Sequence, residues 1–533
     1  MQDRPSSAKR EYKLVNTAMP AGWRPSKGQW AGLALFVSTR TFWLANPAMP
    51  GWVRARSGPS QKAHFSENRS GARNRQEHLT GRIRGCNNSH ILNEIIVGHA
   101  DEFNYIHVGA AWGKLSKLPR GTRDARKDAS ITLCLQNLTR RHLDLLDPRQ
   151  LTIILYSMAK LHASRRIEID QDLAKALLAR AEAKANDFEP QGVANLMGAL
   201  AKMGVLPSES LMLAMKDRAA SIAGEFDPQH VTQFMWALAR LRVMPGENLL
   251  RIMLRRTAAM TEELNPQELA NLTWALAKMR ARLDPRQLTQ MQHRALAVSS
   301  DFNAQEVANL MWALATLGVR PDERLLRAMQ HRAIELAHYF IPQGVVNIVW
   351  ALVEMRAAPD EVFLAAMQER ANASAGSFNA QGVASLMYSL AKMTKMGVVP
   401  DEELMQTMQG RAASIAEEFT PQGVANMMWA LATIGTAPQS NFLGAMQRRA
   451  IDTADDFIPQ YVAQLMQALA TMGAAPDREL VRLMQQRATD TADDFSALEV
   501  RNVLWALETM GVVPDGGLLQ AMHRECAESG ATR

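Results

Sequence analysis

A 38-residue unit repeats down most of this chain, and that period restricts the available folds more than any other feature of the sequence. Its anchor is a Pro-Gln or Ala-Gln pair (Ala-Leu in the last copy), placed two residues after an apolar residue that is usually Phe. The anchor leads into an apolar run that often contains Trp-Ala-Leu. Anchors stand at Pro190, Pro228, Pro266, Ala304, Pro342, Ala380, Pro421, Pro459 and Ala497. Every step is 38 residues except Ala380 to Pro421, which is 41 because Thr394-Lys395-Met396 reads as an insertion. Two weaker copies precede these, one around Leu146, Pro148 and Met158-Ala159-Lys160-Leu161, the other from Phe103 to Leu118. A fixed period in this range means stacked supersecondary units, each unable to bury its own apolar face without neighbours. The expectation is an all-α solenoid superhelix of about ten to eleven helix-turn-helix repeats, and a function that a long repetitive surface can perform.

Within one copy the sequence predicts two helices. Pro321-Asp322-Glu323 reads as the start of the first: proline suits the first turn, and carboxylates favour the positive end of the dipole. Leu326, Met329, Ala333, Leu336 and Phe340 then form a stripe at helical spacing. The second helix opens with a cap. In Phe302-Asn303-Ala304-Gln305-Glu306-Val307, Asn303 is the N-cap, Glu306 completes a capping box, and Phe302 with Val307 forms a hydrophobic staple. Asp227, Asn265, Asn379, Thr420 and Ser496 hold the same slot, whereas Ile341 and Ile458 should cap poorly. Gly318, Gly397, Gly435, Gly473 and Gly511 mark left-handed C′ positions. The 31 methionines of the chain suit irregular gaps between successive helices.

Charge divides the chain. Residues 1–140 carry 22 Lys and Arg against 9 Asp and Glu, while residues 141–533 carry 38 against 44. The array is slightly acidic, so a case for nucleic acid must rest on local geometry. Residues 1–88 lack the repeat phase and are rich in Ser, Arg, Gly and Pro. They read as a mostly disordered basic leader, a transit peptide or an arm without an address. Arg40, Pro47 and Pro50 break the apolar stretch 31–53, which therefore does not suit a membrane span. Residues 89–180 read as degenerate capping repeats and 181–533 as the regular array. Cys86, Cys134 and Cys526 are far apart, which excludes a disulfide framework and argues against a structural zinc site.

The 38-residue, two-helix unit with Pro421-Gln422-Gly423-Val424-Ala425-Asn426-Met427-Met428-Trp429-Ala430-Leu431-Ala432 as its best core resembles the octotricopeptide repeat, over about residues 90–533. The first-helix slot differs from that family, reading Pro-Asp-Glu-x-Leu-Leu at Pro321. The resemblance implies a role similar to that of pentatricopeptide proteins: sequence-selective binding of single-stranded organellar RNA, acting on transcript stability, processing or translation. It also implies a chloroplast or mitochondrial location, the cytoplasm being the alternative, and other RNA-processing proteins as further partners.

Two columns could carry that chemistry. Arg180, Arg218, Arg256, Arg294, Arg332, Arg370, Arg411, Arg449 and Arg487 recur at the repeat step in the first helix. A line of guanidinium forks could track phosphates. Equally, each could lay its stem on the core and pair with a carboxylate before the Phe anchor, such as Asp301 or Glu418. On the second helix Gln305, Asn309, Trp312 and Thr316 share one face, as do Gln422, Asn426, Trp429 and Thr433. Amides beside rings suit single-stranded RNA, but buried amides and tryptophans would serve the inter-repeat core instead. Base identity, if read, should come from the variable site before the arginine, which holds His293 and His331. The sequence shows no GxxxxGK[ST], HExxH or GxSxG and no Cys/His cluster. No enzyme activity, cofactor or metal is expected. A protein-binding scaffold is the rival reading, favoured by the acidic array.

Overall fold

The computed structural model describes residues 68–118, 125–164, 167, 168 and 170–519. Most of the leader, and with it the targeting reading, lies outside the described residues. Among those described, every regular element is helical, and no helix is long and apolar enough to cross a membrane.

Each repeat is an αα-hairpin with a short 3-10 turn between its helices. In the central copy the first helix is Glu323–Glu335, the 3-10 turn Ala337–Tyr339 and the second helix Pro342–Glu354. Among the described residues the second helix occurs eleven times: Tyr105–Leu115, Pro148–Ala163, and then one from each anchor between Pro190 and Ala497. First helices stack on first helices and second on second, and the second helices approach one another more closely. Small residues permit that approach, since Ala308, Ala313, Ala351, Ala384 and Ala430 are all buried within the second-helix layer. Between the layers lies a continuous core. Phe188, Phe226, Phe302, Phe340, Phe378, Phe419 and Phe457 are fully buried, as are Met215, Met253, Met329, Met408, Met446 and Met484 of the first helices.

The second-helix caps form as their chemistry dictates. Asn303 accepts the N–H of Glu306 at 3.0 Å while the Glu306 carboxylate accepts the Asn303 N–H at 2.9 Å. Asn265 with Glu268 and Ser496 with Glu499 repeat the box. Asp227, Asn379 and Thr420 cap singly. Ile341 and Ile458 make no side-chain cap, and there the N–H of Gly344 and of Tyr461 donates to the isoleucine carbonyl instead, at 2.8 and 2.9 Å.

One expectation is corrected. Pro321 is not in the first turn of its helix: Asp322 is the N-cap, its carboxylate accepting the Leu325 N–H at 2.8 Å, and the proline stands outside. A side-chain acceptor outcompetes proline as the start signal because it satisfies a donor that proline leaves alone. Proline at the first turn is found in second helices, as at Pro228, Pro266 and Pro342, and in the first helix Pro285–Ala297. The stretch read as leader also contains structure. Helix Asn68–Gly85 packs on Tyr105–Leu115, with Leu79 and Ile83 buried. Its apolar side is only that narrow, so it carries no repeat signature.

The nine regular second helices end in the left-handed region. Gly318 has φ of 71°, and the Val319 N–H donates back to the Leu314 carbonyl at 2.9 Å. Gly204, Gly397, Gly435, Gly473 and Gly511 behave alike, but three copies put arginine there: Arg242 (φ 59°), Arg280 (φ 51°) and Arg356 (φ 50°).

Candidate nucleic-acid interface

The arginine column is tied to the stack by one repeated hydrogen bond. Where the 3-10 turn ends, the anchor residue turns extended (Phe340 φ −67°, ψ 131°), and its carbonyl leaves the helical ladder. The arginine of the next repeat donates its Nε–H to that carbonyl. Arg218 reaches Phe188 at 2.8 Å, Arg256 reaches Phe226 at 2.7 Å, Arg294 reaches Leu264 at 2.9 Å and Arg332 reaches Phe302 at 2.8 Å. Arg370, Arg411, Arg449 and Arg487 do the same to Phe340, Phe378, Phe419 and Phe457 at 2.6–2.9 Å, and Arg180 to Leu146 at 3.3 Å. Each side chain is half-buried. The sequence placed the right residues in line but named the wrong partner. The acceptor is a main-chain carbonyl of the preceding repeat, a half-buried group that calls for a donor, and not a carboxylate two turns on. Arg332 also pairs with Glu335 at 2.6 Å. What remains of each fork for an outside ligand is its terminal nitrogens.

A second inter-repeat bond carried no expectation. Gln330, Gln368, Gln409 and Gln485 each accept, through Oε1, the N–H of the residue that caps the next repeat's first helix, at 2.7–2.8 Å. Gln447 does likewise with Asp477. The signal was available as a recurring Met-Gln-x-Arg in the first helix. His293 and His331, by contrast, stand exposed on the first helices, and His331 lies 3.4 Å from Glu335.

The second-helix face brings amides, rings and cations together. Its asparagines are linked from copy to copy: Gln233 donates to Asn195 at 3.1 Å and Gln464 to Asn426 at 3.2 Å, while Gln343 donates to Asn347 on its own helix at 2.9 Å. Asn309 and Asn347 are buried, so these amides hold the layer together. Beside them runs an aromatic column. Trp312 and Trp350 stack with centroids 6.4 Å apart, and Tyr388 meets Trp429 at 4.9 Å. Trp312 (3% exposed) and Trp350 (8%) are buried as expected, whereas Trp274, Tyr388 and Trp429 are half-exposed. Trp505, in the last described second helix, is 44% exposed.

Ammonium groups cover these rings. Lys202 lies 4.5 Å from the Tyr156 centroid, Lys278 lies 5.7 Å from Trp274 and 4.9 Å from Trp312, Lys392 lies 5.0 Å from Tyr388, and Lys395 lies 4.9 Å from Trp429. The last cation comes from the three-residue insertion. Such contacts place a cation against the negative face of the ring. Burial, then the nearby Arg242 and Arg240 charges, push the Lys278 ammonium down to about 8. Burial and Arg242 likewise lower Arg240. The sequence column on this face runs on to Lys278 after Trp274 and to Lys392 after Tyr388, so two of these cations were legible in it, whereas Lys202 and the inserted Lys395 were not. Among the described residues no group of three or more His, Cys, Asp or Glu could hold a metal ion.

Among solved structures, a homology model of the full-length AP-3 complex in an intermediate open conformation is similar to this chain at 11% identity. It covers 85% of this chain and 93% of its own, with a TM-score of 0.23. An engineered protein is similar at 12% identity over 85% of this chain and 98% of its own, with a TM-score of 0.17. At such scores neither bears on fold or function. No curated protein matches. The model of the family described as RNA-editing substrate-binding complex 6 protein matches residues 125–455, which span more than half of the chain and take in most of the arginine column, of the glutamine bonds and of the ring column. The chain belongs to the RNA-editing substrate-binding complex 6 protein family.

Proposed function

We propose that this chain binds single-stranded RNA along the outer face of its second-helix layer and acts in organellar RNA metabolism by occupying the strand, alongside other RNA-processing proteins. The observation that carries this reading is the aromatic column overlaid by Lys202, Lys278, Lys392 and Lys395. Rings stack on bases without regard to sequence while cations take up the phosphates. The second helices are also the more closely packed layer, so they lie on the inner side of any bend of the stack, where a strand would be held. Membership of a family named for an RNA-editing substrate-binding complex supports this reading, and so does the resemblance to octotricopeptide repeats. The strand would be held without being cut. A mitochondrial or chloroplast address, supplied by the acid-poor leader, belongs to the same proposal.

Crosslinking of RNA to the full chain in cells, followed by sequencing, tests it. The expected outcome is enrichment of unpaired organellar transcript segments, with tryptophan fluorescence of the purified chain quenched by poly(U) and little affected by duplex RNA. Absence of both crosslinks and quenching would favour the protein-scaffold reading, to which the acidic balance of residues 141–533 points.

A further inference from the structure

Glycine occupies the left-handed C′ position of the second helix in six copies, and arginine occupies it in three. A Cβ makes this conformation costly, and where glycine is not used asparagine is the residue best tolerated. Arginine offers only the attraction of a cation to the helix C-terminus, which is weaker than the cost of the left-handed region. Arg242, Arg280 and Arg356 are all exposed, so burial does not repay the strain. Non-glycine residues held in this region collect at functional sites.

The three arginines fall in nearly consecutive repeats. In the copy between Arg280 and Arg356 the slot is Gly318, and there Arg320 stands two residues on. Its Nη1 donates to the Arg356 carbonyl at 3.3 Å and its Nη2 meets Glu323 at 2.9 Å, which sets this guanidinium beside the same edge of the following repeat. Two residues back along two of these helices lie Arg240 and Lys278, the latter over Trp274 and Trp312. The nearest acidic member of that column, Glu354, hydrogen-bonds Lys392 at 3.2 Å. The edge therefore gathers like charges at the repeat spacing, on strained backbone, directly beside the ring column.

We propose that this C-terminal edge of four consecutive second helices, carrying Arg242, Arg280, Arg320 and Arg356, holds the phosphates of the bound RNA strand while the adjacent rings face its bases. The proposal rests on the RNA-binding reading and assigns its backbone contacts. Guanidinium forks match phosphate oxygens in pairs, and an edge that reads only the backbone binds without sequence preference.

Replacing arginine by glycine tests this with two readouts of opposite sign. In the full chain carrying Arg242→Gly, Arg280→Gly and Arg356→Gly, relief of backbone strain raises the melting temperature. Affinity for a fluorescein-labelled 20-nucleotide poly(U) falls. At about 0.7 in salt slope per lost single-strand contact, three contacts flatten the slope by about 2 and weaken binding about a hundredfold at 0.1 M salt. The asparagine triple variant, which keeps a side chain that tolerates this backbone, gives the same loss. A charge-matched variant on the exposed first-helix face, Arg251→Ala with Arg324→Ala and Arg327→Ala, stays within about threefold of wild type, the salt-slope change being the measure of lost phosphate contacts. Rim variants that bind like wild type, or that lose no more than the first-helix control, overturn the proposal while leaving RNA binding intact. If wild-type protein binds neither poly(U) nor a mixed-sequence 20-mer, the RNA reading itself falls, and this assignment with it.

Discussion

Removing one member of the arginine staple should open a single inter-repeat joint. Arg370→Ala is the cleanest case, because its Nε–H donates to the Phe340 carbonyl at 2.6 Å and no carboxylate competes for it in the hydrogen-bond pattern. A hydrogen bond with a charged partner contributes about 1.5–3 kcal/mol, and deleting one member leaves the other to find water. Here the site is half-buried, so water can reach the orphaned carbonyl, and a cost of about 2 kcal/mol is expected. In a linear array that cost is paid locally, since stability is a sum of repeat and nearest-neighbour terms. The opening equilibrium between helices Pro342–Glu354 and Glu361–Ala373 should rise about thirtyfold, at a factor of ten per 1.4 kcal/mol. Amide hydrogen exchange resolved to those helices measures it. Arg370→Lys should not rescue, because lysine has no Nε at that point on its stem. Exchange within twofold of wild type would refute the staple as a source of stability. The same variant separates the two readings of the column: unchanged poly(U) affinity confines Arg370 to the joint, whereas a salt slope lower by about 0.7 shows its terminal nitrogens on a phosphate.

Trp350→Ala should cost about 3–5 kcal/mol by opening a cavity against Trp312, and Trp429→Ala distinctly less because that ring is half-exposed, both read from chemical denaturation followed by circular dichroism. Asn303→Ala should lose about 1 kcal/mol by dismantling a complete capping box, while Ile341→Asn and Ile458→Asn should each gain a similar amount, since those isoleucines are 42% and 45% exposed and cap nothing. Lys278 sits at about 8 instead of its ordinary 10.5. A lysine depressed in the folded state takes up more protons when unfolded, so stability should rise as pH climbs from about 8 towards 10.5. Lys278→Met should remove that increment, as a difference between the two proteins' denaturation midpoints across this range. RNA affinity should move the other way through the same window, falling as the ammonium is lost.

The period, the hairpin and the second-helix caps were legible because each is written within a few consecutive residues. Asn303 and Glu306 need only each other to form a box, and a glycine at 318 needs only its own backbone. The joints between repeats were legible as columns but not as bonds. Arg332 and Phe302 are 30 residues apart, and which atom of the anchor accepts depends on the 3-10 turn that frees its carbonyl, a feature no side-chain pattern announces. The same distance separates Gln330 from the Asp360 N–H it receives. The proline at 321 misled because two start signals sat side by side, and the carboxylate of Asp322 took the cap.

A physical division of labour follows from where the polar groups are used. The first-helix arginine and glutamine columns direct Nε and Oε1 inward, to the carbonyl that ends one hairpin and the N–H that begins the next. Two different groups thus fix the spacing of each repeat on its neighbour, and substitution of either should disturb the stack before it disturbs a ligand. The second helices settle their amides among themselves and leave half-covered rings and ammonium groups outermost. A surface whose hydrogen bonds are already satisfied has little capacity to read base edges one by one. It can stack bases and attract phosphates, which predicts weak discrimination between sequences of equal length. Competition of labelled poly(U) by poly(A), poly(C) and mixed-sequence 20-mers should give affinities within about a factor of ten of one another, as stacking platforms do. A preference of a thousandfold for one sequence would place the readout elsewhere, on the exposed variable sites of the first helices that hold His293 and His331.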